Sequence, residues 1–212
     1  MTEVLRIDSS DGLSLEAAID APDDPRSVLV LCHPHPKMGG TMNAPLLIAL
    51  ADYLVHRGWA VVRFNFRGIG ASEGEAGTGI EEVADAAGAL QEARRRYDTP
   101  VAIGGWSFGG AVAIRAATEA PDLAACVGIA PAVREKPGIT AGLPAPEDVH
   151  LTCPLGIVCG SNDDLVRPED CRAWAEAAGA TYVEIRAANH FFWAKYDALT
   201  DAVADFLDAT LV

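Results

Sequence analysis

Positive charge is what this chain has least of. Sixteen Lys and Arg stand against 30 Asp and Glu in 212 residues, a formal charge of −14 with histidine neutral. A surface of that sign repels phosphate backbones and anionic lipid, so neither nucleic acid nor a membrane surface is an expected partner. Long apolar runs are also missing: Val28 to Cys32 falls far short of the roughly 20 residues that span a bilayer. The opening MTEVLRIDSSDG carries acidic groups where a secretory signal needs a basic region and an apolar stretch, so no targeting signal is expected. Cysteine is scarce and odd in number (Cys32, Cys126, Cys153, Cys159 and Cys171), with no CxxC spacing. These residues read as small buried apolar groups in a reducing compartment, and the expected location is cytoplasmic.

Half of the residues are hydrophobic and 22% are charged, which predicts a well-buried core. The length suits a single α/β domain over residues 1–212. Leu13, Leu15, Ala17 and Ile19 alternate as a half-buried strand would, and Pro22 to Pro25 marks a turn. Ser27 to Cys32 reads as a strand covered on both faces. Pro45, favoured at a first helical position, and Gly58 bracket a helix. Trp59 to Phe66 is the next strand. Thr78-Gly79-Ile80-Glu81 has capping-box spacing and is expected to open a helix running to about Tyr97.

Further along, strands are predicted at Val101–Ile103, Ala124–Ile129, Leu155–Gly160 and Tyr182–Ile185. Helices are predicted after residue 107, from Pro168 to about Gly179, and from Asp197 to Leu211. Such alternation predicts a mainly parallel, doubly wound sheet with helices on both faces. Only residues 131–152, with Pro131, Pro137, Pro144 and Pro146, break the rhythm; a small flap over the sheet and a long surface loop are both open readings.

The run VAIGGWSFGG at 101–110 points most directly to chemistry. A short strand meets Gly105-Trp106-Ser107-Phe108-Gly109 and then a helical pattern, so Ser107 sits at the apex of a strand–turn–helix. A serine hydroxyl is a poor nucleophile near neutral pH and needs a base, itself oriented by a third group. Of the five histidines, His56 ends a helix, His150 lies in the proline-rich stretch, and His33 and His35 follow the Ser27–Cys32 strand. His190 follows the last strand. In a parallel sheet, loops leaving strand C-termini gather at one edge, so His190 is the expected base. Asp163 or Asp164, in the loop after Leu155–Gly160, would supply the acid, and the other would cap or fix the loop near Pro168. The Phe108 N–H and, because Pro34 and Pro36 have none, the His35 N–H are the expected oxyanion donors.

Four blocks together resemble the α/β-hydrolase superfamily over essentially the whole chain: LCHPHP, RFNFRGIGAS, GWSFGG, and GSNDD with NHFF. They are similar in particular to small, lid-poor bacterial hydrolases whose oxyanion loop reads HPHPxxGGTM, here His33 to Met42. The resemblance implies an acid three positions after a glycine and three before a hydrophobic residue. Gly160, Asp163 and Val166 fit, which selects Asp163. It further implies hydrolysis of a small-molecule carboxylic ester or thioester through an acyl-serine intermediate, with no metal or organic cofactor. Two departures stand out: His33-Pro34 replaces the usual HG pair, and Asn65 stands where Asp is frequent. Arg67 reads as an ion-pair partner of Asp85.

Other readings compete with this one. His33-x-His35 is half of a metal-ligand pattern. A non-catalytic ligand-binding protein, a cofactor-free perhydrolase and a peptidase are all compatible with the same fold. Met38, Trp106, Phe108, Phe191 and Trp193 are candidates to line an acyl pocket, against the alternative that they pack in the core. With no large cap expected, the cleft should be open and prefer small or medium acyl chains.

Overall fold

A computed structural model describes residues 2–211. Its described residues contain one sheet of eight strands: β1 (Thr2–Asp8), β2 (Ser14–Asp20), β3 (Ser27–Cys32), β4 (Trp59–Phe64), β5 (Val101–Trp106), β6 (Ala125–Ile129), β7 (Leu155–Gly160) and β8 (Thr181–Ile185). Their spatial order is β1-β2-β4-β3-β5-β6-β7-β8. β1 pairs with β2, and β2 with β4, in antiparallel fashion; every other neighbouring pair is parallel. Five helices complete it: α1 (Pro45–His56), α2 (Glu82–Arg96), α3 (Phe108–Glu119), α4 (Pro168–Ala177) and α5 (Tyr196–Ala209).

The period-two rule divides each central strand between two cores. Val28, Val30 and Cys32 of β3 face the layer filled by Leu90 of α2, Ile114 of α3 and Trp174 of α4. Leu29 and Leu31 face the opposite layer, with Leu50 of α1 and Val203 of α5. With helices on both faces, all residues of β3 through β7 are buried, which is why these strands read as continuous apolar runs. All five cysteines are free thiols and four are buried.

Several boundaries differ from the expected ones, each for a local reason. β1 was not expected at all; it is an edge strand whose only buried residue is Ile7, opposite Leu15, so it carries little alternation. Beyond Phe64 the chain leaves the ladder at its second residue: Asn65 N–H still donates to the Glu16 carbonyl in the β2 register (2.8 Å), but Phe66 N–H donates to the His33 ring (3.0 Å). Thr78 does not cap α2, which begins four residues later. Only half of the capping box forms, with the Glu81 carboxylate accepting from Thr78 N–H (3.2 Å). Buried Glu82 accepts from Gly77 and Gly79 N–H (2.7 and 2.8 Å) and secures the loop instead.

Residues 131–152 form a tied-down surface loop. Its regular structure is a short 3-10 turn at Pro146–Asp148 and a single bridge between Lys136 and Thr140. Arg115 of α3 donates to the Ala141 and Gly142 carbonyls, and the Trp174 indole of α4 donates to Pro144 (2.9 Å).

Candidate active site

β5 delivers the chain to Ser107 and α3 carries it away. Ser107 has φ 56° and ψ −116°, a region that costs a non-glycine residue about 1–3 kcal/mol. Backbone hydrogen bonds impose it. Ser107 N–H donates to the Ile129 carbonyl (2.8 Å), while the Ser107 carbonyl accepts from Gly110 and Ala132 (both 3.0 Å). The flanking glycines are sterically required. A Cβ on Gly105 would lie 2.3 Å from the Gly109 carbonyl oxygen, and one on Gly109 would lie 2.3 Å from the His33 carbonyl oxygen at the end of β3. The obstacle at 109 is thus the neighbouring strand's loop.

Three distant segments meet at this apex. His190 Nε2 lies 3.0 Å from Ser107 Oγ, and His190 Nδ1 lies 2.7 Å from Asp163 Oδ2. Asp163 Oδ1 accepts from the Leu165 and Val166 amides (2.9 and 2.8 Å), so both carboxylate oxygens are committed and acceptor-only. That network assigns the imidazole tautomer: Nδ1–H donates to Asp163, and Nε2 accepts from the serine hydroxyl. The Asp163 side chain and His190 are both buried. Asp164 is exposed, and the capping role expected of the spare aspartate is absent: Arg167 occupies the N-cap of α4 without a side-chain hydrogen bond. The Trp106 indole donates to the His190 carbonyl (3.1 Å) and so fixes the histidine's backbone, a role its sequence position did not announce.

His33 and His35 have separate duties. His33 is fully buried; its Nδ1–H donates to the Pro34 carbonyl (2.7 Å) and its Nε2 accepts from Phe66 N–H. A trans peptide is planar with C=O and N–H opposed, so pinning the Pro34 carbonyl toward His33 turns the His35 N–H the other way. His35 Nε2–H donates to the Ile139 carbonyl (3.0 Å) and Nδ1 accepts from Lys37 N–H (3.1 Å). All four ring nitrogens therefore engage backbone, and the pair does not converge as two ligands of one metal ion. The His35 ring lies 5.0 Å from that of Phe108. Neither the His35 nor the Phe108 N–H has a protein partner among the described residues.

The RFNFRG block is structural. Arg67 grips fully buried Asp85 through its guanidinium (2.7 Å) and its own N–H (2.9 Å). Losing one member of such a buried pair typically costs about 3–5 kcal/mol. Asn65 accepts from Met42 N–H (2.8 Å) and donates to Glu16 Oε2 (2.9 Å). An aspartate in place of Asn65 would have no proton to offer Glu16.

Ser107 and His190 open on a cleft of about 450 Å³. Met38, Trp106, Phe108 and Phe191 are on its wall. Trp193 is not: it is displaced outward and stacks on Phe191, with ring centroids 5.0 Å apart and an interplanar angle of 17°. His56 and His150 are exposed and elsewhere. The wall also holds Arg134, Lys136, Arg167 and, from the first turn of α4, Asp170, charged residues whose convergence no local pattern signalled.

Residues 23–149 match the family model Hydrolase_4, described as serine aminopeptidase, S33, and the chain belongs to that family. The matched span includes Ser107 and ends before Asp163 and His190. An uncharacterized protein of Rickettsia prowazekii (strain Madrid E) is 29% identical over 191 residues, 85% of this chain and 78% of that protein. An α/β serine hydrolase homologue from Coxiella burnetii has a TM-score of 0.84 at 28% identity, with 97% of each chain covered. A protein from Xanthomonas campestris, described as an α/β serine hydrolase without lid, has a TM-score of 0.84 at 27% identity, covering 99% of this chain and 95% of its own. The chain thus belongs to a serine hydrolase family and shares the α/β fold of these neighbours.

Burial disfavours a charge on His33 and pushes its pKa down to about 4 from an ordinary 6.5. Between those values the unfolded chain binds a proton that the folded chain does not. Stability is therefore full above about pH 6.5 and declines as pH falls toward 4, by on the order of 3 kcal/mol from this group. Denaturant midpoints for wild type and His33→Gln, whose amide keeps a donor and an acceptor, should show a shallower acid decline in the variant. Identical pH slopes would contradict this assignment.

Proposed function

We propose that the protein hydrolyses a carboxylic ester or thioester through an acyl-serine intermediate. The observation that carries this reading is the continuous Ser107–His190–Asp163 chain of hydrogen bonds, 3.0 and 2.7 Å, at the wall of an open cleft. As Ser107 Oγ attacks the carbonyl carbon, His190 Nε2 takes its proton, and Asp163 steadies the imidazolium that results. The carbonyl oxygen becomes an oxyanion, for which the unpartnered His35 and Phe108 N–H groups are suitable donors. Collapse expels the alcohol or thiol, which receives the proton from His190. A water molecule then repeats the sequence on the acyl-serine, releasing the acid and restoring the hydroxyl.

The family's description raises the aminopeptidase reading, and one feature of the cleft weighs against it. Holding a substrate's α-ammonium group calls for an available carboxylate. Asp170, the carboxylate on the wall, already has both oxygens bonded to Arg134 and Arg167. The free, mostly buried cysteines fit the reducing, cytoplasmic setting proposed for the protein.

A panel of neutral p-nitrophenyl esters tests the reaction. Wild type should turn over short and medium acyl chains, and Ser107→Ala should lose on the order of 10⁶ in kcat. Asp163→Asn should lose on the order of 10⁴, while Asp164→Asn stays within about twofold. Near-normal turnover by Ser107→Ala would overturn the reading. A steep preference for long chains would contradict the open-cleft expectation.

The oxyanion assignment has its own test. His35 has φ −52°, which proline can adopt, so His35→Pro removes the N–H at little conformational cost. His35→Ala removes the same ring contacts but keeps the N–H. The proline variant should be slower than the alanine variant by about 10²–10³ in kcat. Equal rates would remove this N–H from the mechanism.

A further inference from the structure

Acidic residues outnumber basic ones almost two to one in the chain, yet the cleft reverses that sign. Arg134, Lys136 and Arg167 line it, against the single carboxylate of Asp170. Asp170 accepts from Arg134 (2.7 and 2.9 Å) and Arg167 (2.9 Å), and these hydrogen bonds hold its carboxyl down at about 2. It stays ionised and offsets one cation of the three. Both guanidiniums are mostly exposed. Lys136 has no carboxylate partner among the described residues. Its backbone is held by the bridge to Thr140, in a loop joined to the oxyanion loop through the His35–Ile139 hydrogen bond.

Apolar surface gathers at the same place. Met38, Ile139, Leu165 and Phe191 are four of the eight large hydrophobic residues left exposed among the described residues, and all four line the cleft. A ligand complementary to this wall needs an apolar body to cover those side chains and a negative group to meet the cations. A neutral alkyl ester would leave two positive charges unanswered, and a bare inorganic anion would leave the apolar surface wet.

We propose that the ester or thioester cleaved here is amphipathic and anionic, bearing a carboxylate or phosphate that Arg134, Lys136 and Arg167 select. This inference rests on the acyl-serine reading for its chemistry, but binding can be measured without turnover. The test is calorimetric titration of Ser107→Ala with 4-phenylbutyrate, phenylbutyl phosphate and neutral 4-phenylbutanol at low ionic strength. At least one anion should bind about fivefold or more tighter than the alcohol, and the gap should shrink in about 0.5 M salt. Lys136→Gln, which breaks no ion pair, should narrow the gap, and Arg134→Gln/Lys136→Gln should close it. Which anion binds more tightly identifies the group. Equal affinity for the alcohol and both anions, or an anion preference that survives the double substitution, overturns the proposal. Anion-selective binding in a protein whose wild type hydrolyses no ester would count against the hydrolytic reading while supporting the selectivity.

Discussion

A serine backbone forced to φ 56° is the constraint on which the rest of this molecule depends. Left to itself, that residue would relax into an ordinary region and withdraw its hydroxyl. It is held by the β6 carbonyl at Ile129, by Ala132 beyond that strand, and by two glycine positions where no Cβ fits. The strain is thus balanced by the neighbours of β5 in the sheet. Those two neighbours and the next two strands of the parallel sheet also carry the loops that surround Ser107. β3 leads into His35, β6 into the cationic wall, β7 into Asp163 and β8 into His190, because parallel strands all end at one edge.

The HPHP segment shows how one local pattern divides into two jobs. His33 is sealed away and neutral, and its Nδ1–H holds the Pro34 carbonyl so that the next N–H points away from it. His35 lies at the cleft, joining the loop after β3 to residues 131–152 through Ile139. A glycine after His33 would leave that peptide freer. Pro34 stiffens it, and the buried histidine orients it. In this way the departure from the usual HG pair keeps a backbone donor available rather than removing it.

Much of the architecture was legible in residue order. Ser27–Cys32 and Leu155–Gly160 form strands with the expected ends, because each is apolar on both faces and bounded by turn residues. The apex serine was legible because its flanking glycines answer a steric need. The Arg67–Asp85 pair was legible from its block. What escaped had weak or misleading local signals. β1 buries one side chain, so its alternation is faint. Thr78 and Glu81 have capping-box spacing, but the Glu82 carboxylate satisfies the loop amides and the helix starts later. Trp193 neighbours the site in sequence, yet a left-handed turn at Phe192 (φ 52°) separates it from the cleft. Arg134 and Lys136 come from one loop, Arg167 and Asp170 from the N-cap and first turn of α4, and only the sheet order brings them together.

The most direct measurement is the rate at which a fluorophosphonate modifies Ser107, located by mass spectrometry of the intact protein and its peptides. An activated hydroxyl should be modified stoichiometrically at position 107, and His190→Gln should slow the reaction by about 10²–10⁴. A wild-type protein left unmodified at Ser107, or a His190→Gln variant labelled as fast as wild type, would contradict the claim that this imidazole activates this oxygen.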